Sequence, residues 1–446
     1  MTKRTRLAAI ALAALGVATL LALISRTPAS APTTAVSSSA PGGDPGEAPA
    51  LPAPDAWVDI TWEPLAVDPL GPADVLRRVE GVVGDEHLLV AWGRTPMPGR
   101  NQFNDMGAVF VSGDGVTWHT VAVEHGVNAV SASSVADMAI GPRGMLAVGS
   151  VCCDPEQPAI WHSSDGLAWE RLDAEDTIDP SRYLSSVHAL PDGWLALASG
   201  GPEPVSELLF SPDGLTWERV LQADTTEGGP GISAVTRAPG GLVAVGTAEG
   251  DDGSYDGAVW RSVDGRTWER TALADPALVG EGEARLHDAV GHAGGLLVTG
   301  ILGTEEQRRQ CEQLGMLASL ADVPLREPLD ATSCVSGDEQ QWASEDGERW
   351  ARVERDGGAE QPIEFRVVAA GGPGLVLLGE SSGPDSPDTR FFGSADGITW
   401  NALGTEEPML SDVAIGMVVR GREIIALTES WGAEKTTLRV WRGRAG

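Results

Sequence analysis

An all-β ring of repeated four-stranded sheets, a β-propeller, is the fold this sequence predicts. Three observations predict it. A heptad of the form Ser-x-Asp-Gly-x-x-Trp recurs six times, its period is near 50 residues, and the stretches between copies alternate apolar and polar residues as half-buried strands do.

The copies read "VSGDGVTWHT", "HSSDGLAWER", "FSPDGLTWER", "RSVDGRTWER", "ASEDGERWAR" and "GSADGITWNA". Their tryptophans are Trp118, Trp169, Trp217, Trp268, Trp350 and Trp400, spaced by 51, 48, 51, 82 and 50 residues. A repeat of this length without a helical pattern is one blade of a propeller. In the unit ending at Trp268, "ISAVTRAP" and "GLVAVGT" form the first two strands across a Pro-Gly-Gly turn. "GAVWRS" and "RTWERTAL" form the last two. Asp-Gly between them predicts a two-residue type I′ hairpin turn, because that turn needs positive φ at both positions. The Ser and Asp side chains are placed to bond nearby backbone amides and stiffen it.

Two residues before each motif Ser stands a second bulky apolar residue: Phe110, Trp161, Leu209, Trp260, Trp342 and Phe392. Each unit thus carries a large pair on its last hairpin, suited to fill the space between neighbouring sheets. This accounts for 15 Trp against six Phe and two Tyr. The tryptophans read as core.

Six motifs predict seven blades. "RVWRGRAG" puts Trp441 where Trp260 sits, and the chain then stops; "DITWEPLAV" supplies Trp62 in a context like that of Trp268, with no hairpin before it. The two are halves of one blade, so a strand from the start of residues 56–446 completes the sheet begun by residues 410–443. That pairing removes the open edge of the ring.

Before the propeller come two segments. Residues 1–26 hold a basic start, "MTKRTR", then an uncharged apolar run from Leu7 to Ser25. The run is long enough to span a bilayer, and the basic residues orient the rest of the chain to the outside. Pro32 follows the one cleavage-like triplet, Ala29-Ser30-Ala31, so an uncleaved anchor is preferred to a cleaved signal and secretion. Residues 27–55, rich in Pro, Ala and Ser, read as a disordered linker. A net charge of −33 excludes nucleic acid as a partner, since phosphates reward basic surfaces.

The 82-residue interval holds an insertion, residues 302–341, with Cys311 and Cys334, which an exported chain is free to pair as a disulfide. Cys152 and Cys153 are adjacent, and a vicinal disulfide and two free thiols both remain open. Asp251, Asp252 and Asp256, in "DDGSYDG", form a carboxylate-dense loop that is a weak Ca²⁺ candidate without EF-hand spacing. No other cofactor is expected. "GESSG" at 379–383 follows a strand and leads to no helix, which a nucleophile elbow requires.

The heptads resemble the Asp-box, or BNR, repeat of sialidases and related propellers, with Asp and Gly adjacent here and every copy one residue shorter than the family pattern. The resemblance covers residues 55–446 and implies the propeller fold. In that family the boxes lie on peripheral hairpins away from the catalytic centre, and many members are not sialidases. A sialidase-like activity, the alternative reading, implies an arginine triad for a substrate carboxylate and a Tyr–Glu nucleophile pair. Aligning the units on their Gly-Leu-Val-Ala-Val turns puts Arg78, Tyr183, Gly231, Arg285 and Glu364 at matching positions at the mouth, with Arg182 and Arg366 adjacent. Arg78, Arg182 and Arg285 are then the triad, and Tyr183 with Glu364 the nucleophile pair. The Phe/Tyr-Arg-Ile-Pro element is absent, sialidase propellers have six blades, and acidic stretches such as "DAEDTIDPSRY" oppose an anionic sugar. The expectation is therefore a non-catalytic, exported, membrane-tethered monomer that binds a protein or glycan partner at its acidic loop face.

Overall fold

A computed structural model describes residues 57, 60–65, 78–96, 105–121, 133–151, 157–174, 177–201, 205–223, 231–249, 255–271, 278, 284–303, 338–353, 363–371, 374–381, 388–404, 412–431 and 436–445. The anchor and linker at 1–55, Cys152, Cys153, Asp251, Asp252, and Cys311 and Cys334 with most of their insertion lie outside them, as do the side chains of Arg78, Glu364 and Arg366. Among the described residues no helix is long and apolar enough to cross a membrane.

Seven four-stranded antiparallel sheets form the fold. Blade one spans Arg78–Thr120, blade two Ser133–Leu172, blade three Tyr183–Ala223 and blade four Ile232–Arg270. Blade five spans Ala284–Arg352, blade six Ile363–Leu403, and blade seven Asp412–Ala445 with Ile60–Pro64 added. First strands of successive blades touch around the whole circuit, including that of blade seven against that of blade one. The ring is closed.

Closure uses the two half-blades as the sequence requires. Ile60 pairs with Ala445 and Pro64 with Trp441, so the earliest described strand becomes the outer strand of blade seven. Trp441 sits opposite Ala426 as Trp260 sits opposite Ala244 in blade four. Trp62 faces Gly443, the place a motif Ser holds elsewhere.

Six apolar clusters each bridge two adjacent blades, and the bulky pairs of blades one to five are wedges in them. Blade six departs from the expectation: Phe391 rather than Phe392 is its fully buried phenylalanine, packed against blade seven, and Phe392 and Trp400 are only half-buried. Trp161 and Trp169 pack on blade one, Leu209 and Trp217 on blade two, and Trp342 and Trp350 on blade four. Trp260, with the half-buried Trp268, packs on blade three. A Trp of this kind buries about 150–250 Å². The stability of the ring therefore lies in its radial seams, not within single sheets, each of which is too thin to form a core.

The predicted two-residue turn is corrected. In blade four the last paired residues are Arg261 and Glu269, and the seven between them form a wider bend in which Gly265 takes φ +77°. The Ser262 hydroxyl accepts the Gly265 N–H (2.8 Å), and Asp264 Oδ1 accepts those of Arg266 (2.8 Å) and Thr267 (2.9 Å). The Trp268 ring N–H donates to the Gly265 carbonyl at 3.1 Å. A two-residue turn leaves no room to swing the Trp inward; the wider bend does, and side-chain acceptors satisfy its loose amides. The outer strand shortens accordingly to Glu269–Arg270. The Ser and Asp contacts recur in the other five copies.

Arginines staple this face across the seams. Arg266 reaches Asp192 of blade three (3.0 Å) and stacks over Phe210, Arg261 reaches Glu348 of blade five (2.9 Å), and Arg143 donates to the Pro212 carbonyl of blade three. Arg442 and Arg420 of blade seven donate to the carbonyls of Asp114 and Gly113 in blade one.

Candidate functional site at the channel mouth

The face opposite the heptad hairpins, where the seven inner strands begin, is the mouth of the ring. All seven inner strands carry a β-bulge at one shared position, at Glu80, Ala136, Ser185, Ser233, His287, Arg366 and Ile415. Counting two residues back from each bulge gives Arg78, Ser134, Tyr183, Gly231, Arg285, Glu364 and Val413. The five mouth residues read from the sequence are thus equivalent by register, and Ser134 and Val413 complete the ring. Bulges re-aim side chains next to functional sites, and here the device is built into every blade.

Equivalent position is not shared chemistry. Arg182 turns into its own blade: its guanidinium meets Glu207 at 3.1 Å, lies 3.9 Å from Asp179 and donates to the Gly200 carbonyl. Glu207 also takes Arg219 at 3.2 Å. Both Arg182 and Glu207 are largely buried, so this is a structural ion pair with a second cation at its rim. Arg285 is 7% exposed. Tyr183 differs, with 56% of its surface exposed and its ring against Gly200, whose φ of +90° suits the close approach. By the shorter way round, Arg78 in blade one stands three blades from Arg285 and two from Tyr183. Glu364 in blade six stands next to the blade of Arg285 and three blades from Tyr183. Asp256 is buried in the third strand of blade four, paired with Ala248. Among the described residues no cluster of His, Cys, Asp and Glu is arranged to hold a metal.

Sequence reading missed the polar groups just inside the mouth. Asp137 follows the bulge of blade two; its Oδ1 accepts the Met138 N–H and its Oδ2 the Val187 N–H of blade three (2.8 and 2.9 Å). Burial pushes this carboxyl up to about 6 against the pull of those two amides. Asp288 holds the matching place in blade five and is raised for the same reason. His188, next to Val187, is drawn down to about 4 by burial and by the Arg237 cation. A buried carboxylate with no sequence motif gives no signal; the bulge that places it is visible only as a Gly on the facing strand, such as Gly149 or Gly300.

Asp137 and His188 tilt stability in opposite directions. Asp137 titrates near 6 in the fold against 3.8 when free, so its contribution is full below about pH 4 and is lost as pH rises to 6. His188 titrates near 4 against 6.5, so its contribution is full above 6.5 and is lost as pH falls to 4. Urea unfolding between pH 4 and 6.5 is expected to show Asp137→Asn gaining stability with pH more steeply than the native chain, and His188→Gln less steeply. Three parallel curves would contradict these assignments.

Seven four-stranded blades closed through both ends of the folded region make this chain a β-propeller. No known protein family matches it, and no curated protein does. Solved structures similar to it include the β-propeller domain of Cps50 (Swd1) from Myceliophteria thermophila, at 8% identity and TM-score 0.43 over 85% of this chain and 99% of that one. The β-propeller domain of the Trilobed protease from Pyrococcus furiosus is similar at 8% identity and TM-score 0.47, over 83% and 98%. Trypanosoma rangeli sialidase is similar at 12% identity and TM-score 0.37, over 83% of this chain and 55% of that one. The functions these proteins carry are diverse.

Proposed function

We propose that this protein is an exported, membrane-tethered propeller that binds a protein or glycan partner through the loop face of its channel mouth, and that its heptads are Asp-boxes serving as fasteners. One observation carries the reading: the two faces spend their polar groups differently. On the heptad face, each Ser hydroxyl and Asp carboxylate accepts amides of its own hairpin. The ring N–H of Trp118, Trp169, Trp217, Trp268 and Trp400 donates to the carbonyl of the motif Gly. The mouth instead sets an exposed Tyr183 beside residues that differ from blade to blade. Partner recognition on propellers is carried by such variable loops on a rigid scaffold. The apolar run at residues 7–25 supports the tether, and the acidic composition supports a face suited to a partner with basic or hydroxyl-rich groups.

The sialidase-like alternative needs Arg182 free to grip a carboxylate, and its bonds to Glu207 argue against that use. Arg182→Met is expected to cost about 2–3 kcal/mol of stability, less than a fully orphaned buried charge because Arg219 stays with Glu207. Urea unfolding checks it. Capture from an envelope extract by the full chain, run beside a fluorogenic sialoside assay, tests the function. Reproducible capture without turnover is the expected result. Robust turnover abolished by Tyr183→Phe would overturn the reading.

A further inference from the structure

Five large apolar side chains stand exposed among the described residues: Leu167, Tyr183, Leu215, Val263 and Ile398. Tyr183 lies at the mouth. The other four all sit on box hairpins, in blades two, three, four and six, on the opposite face. Leu167, Leu215 and Ile398 occupy one position, directly after the box Gly, where the fastener uses the backbone N–H and leaves the side chain idle. Blades four and five carry Arg266 and Glu348 there, so the fold does not demand an apolar residue. Equivalent positions of a repeated ring lie at one height, so these tips define a plane rather than a groove. A plane fits a flat surface.

The chain path supplies the second observation. The outer strand of blade seven starts at the box end of its sheet, where Ile60 pairs with Ala445. Trp57, fully buried, lies against Gly393 beside the box Ser394 of blade six. The residues before Trp57, with the apolar run 7–25, therefore join the propeller on the face that carries the exposed tips. From these observations we infer that the box face rests on the lipid surface to which the chain is tethered. Leu167, Leu215, Val263 and Ile398 enter the headgroup layer, and the mouth is turned away from it. This rests on the proposed tether, which raises the effective concentration of lipid enough for a few small apolar contacts to hold. Asp165, Asp213, Asp264 and Asp396 stay ionised beside the tips, because backbone amides hold each of them below the usual carboxylate range. The surface that fits is accordingly zwitterionic.

The test is hydroxyl-radical footprinting of the full chain in phosphatidylcholine vesicles against the same chain in detergent micelles, after flotation through an alkaline carbonate wash. Tyr183 is the internal reference. The inference expects several-fold slower oxidation of Leu167, Leu215, Val263 and Ile398 in vesicles and an unchanged rate at Tyr183, with the protection weakened when anionic lipid is added. Unchanged rates at the four tips, or equal protection of Tyr183, overturn it while leaving the tether intact. Failure to float with the vesicles overturns the tether itself.

Discussion

Gly291→Ala is expected to destabilise the ring by about 3 kcal/mol or more. Gly291 lies on the inner strand of blade five, and its N–H donates to Thr236 Oγ1 of blade four at 3.0 Å. A Cβ there would overlap the backbone carbonyl oxygen of Arg237, which belongs to the neighbouring inner strand. Backbone cannot yield as a flexible side chain does, so the seam between blades four and five must open or shift. Gly113→Ala is the control, because its Cβ would make an ordinary contact of 3.7 Å with the His87 carbonyl. Urea unfolding of the two variants checks the difference; equal midpoints would mean that the inner strands do not approach as described.

Trp441→Ala is expected to cost about 3–5 kcal/mol through the cavity it leaves. Trp441 is 2% exposed and packs with Trp57, Trp62 and Phe391 where blade seven meets blade six. Its ring N–H donates to Thr428 Oγ1 at 3.0 Å, whose hydroxyl donates to Asp412 at 2.7 Å, and Asp412 is held by Arg439 at 2.7 Å. The substitution therefore empties the closing seam and removes a donor from a buried polar chain. Trp441→Phe should recover most of the loss, leaving about 1 kcal/mol for the hydrogen bond. Val263→Ala, on an exposed box tip, should change little. A Trp441→Ala variant as stable as Val263→Ala would show that blade seven does not close the ring.

The architecture was legible because it repeats. The period, the split blade at Trp62 and Trp441 and the wedge pairs of blades one to five follow from local pattern, and the register confirms the split blade. In blade six the one-residue shift from Phe392 to Phe391 puts the buried ring on the other face of the strand. The turn was misread for a physical reason: Asp-Gly signals positive φ at two positions, yet here Gly265 supplies it and Asp264 acts as an acceptor for two amides beyond it. The mouth was half legible. Aligning the units placed Arg78, Tyr183, Arg285 and Glu364 at one strand position, which the bulges bear out. Where a side chain turns from that position depends on partners distant in sequence, and Glu207 gives no sign in the sequence that it holds Arg182.

The proposed function rests on one division of labour: the heptad hairpins serve stability, and binding is assigned to the opposite face. Ser211, Ser262 and Ser344 are buried, and each satisfies the N–H of its box Gly at 2.7–2.8 Å. Each Ser→Ala change leaves a buried amide unsatisfied and costs about 1–2 kcal/mol. The direct measurement pairs the melting temperature of the triple Ser→Ala variant with its partner capture well below that temperature. Melting several degrees lower with capture unchanged is the predicted result. Capture lost while the melting temperature holds would place the function in the boxes and contradict that division.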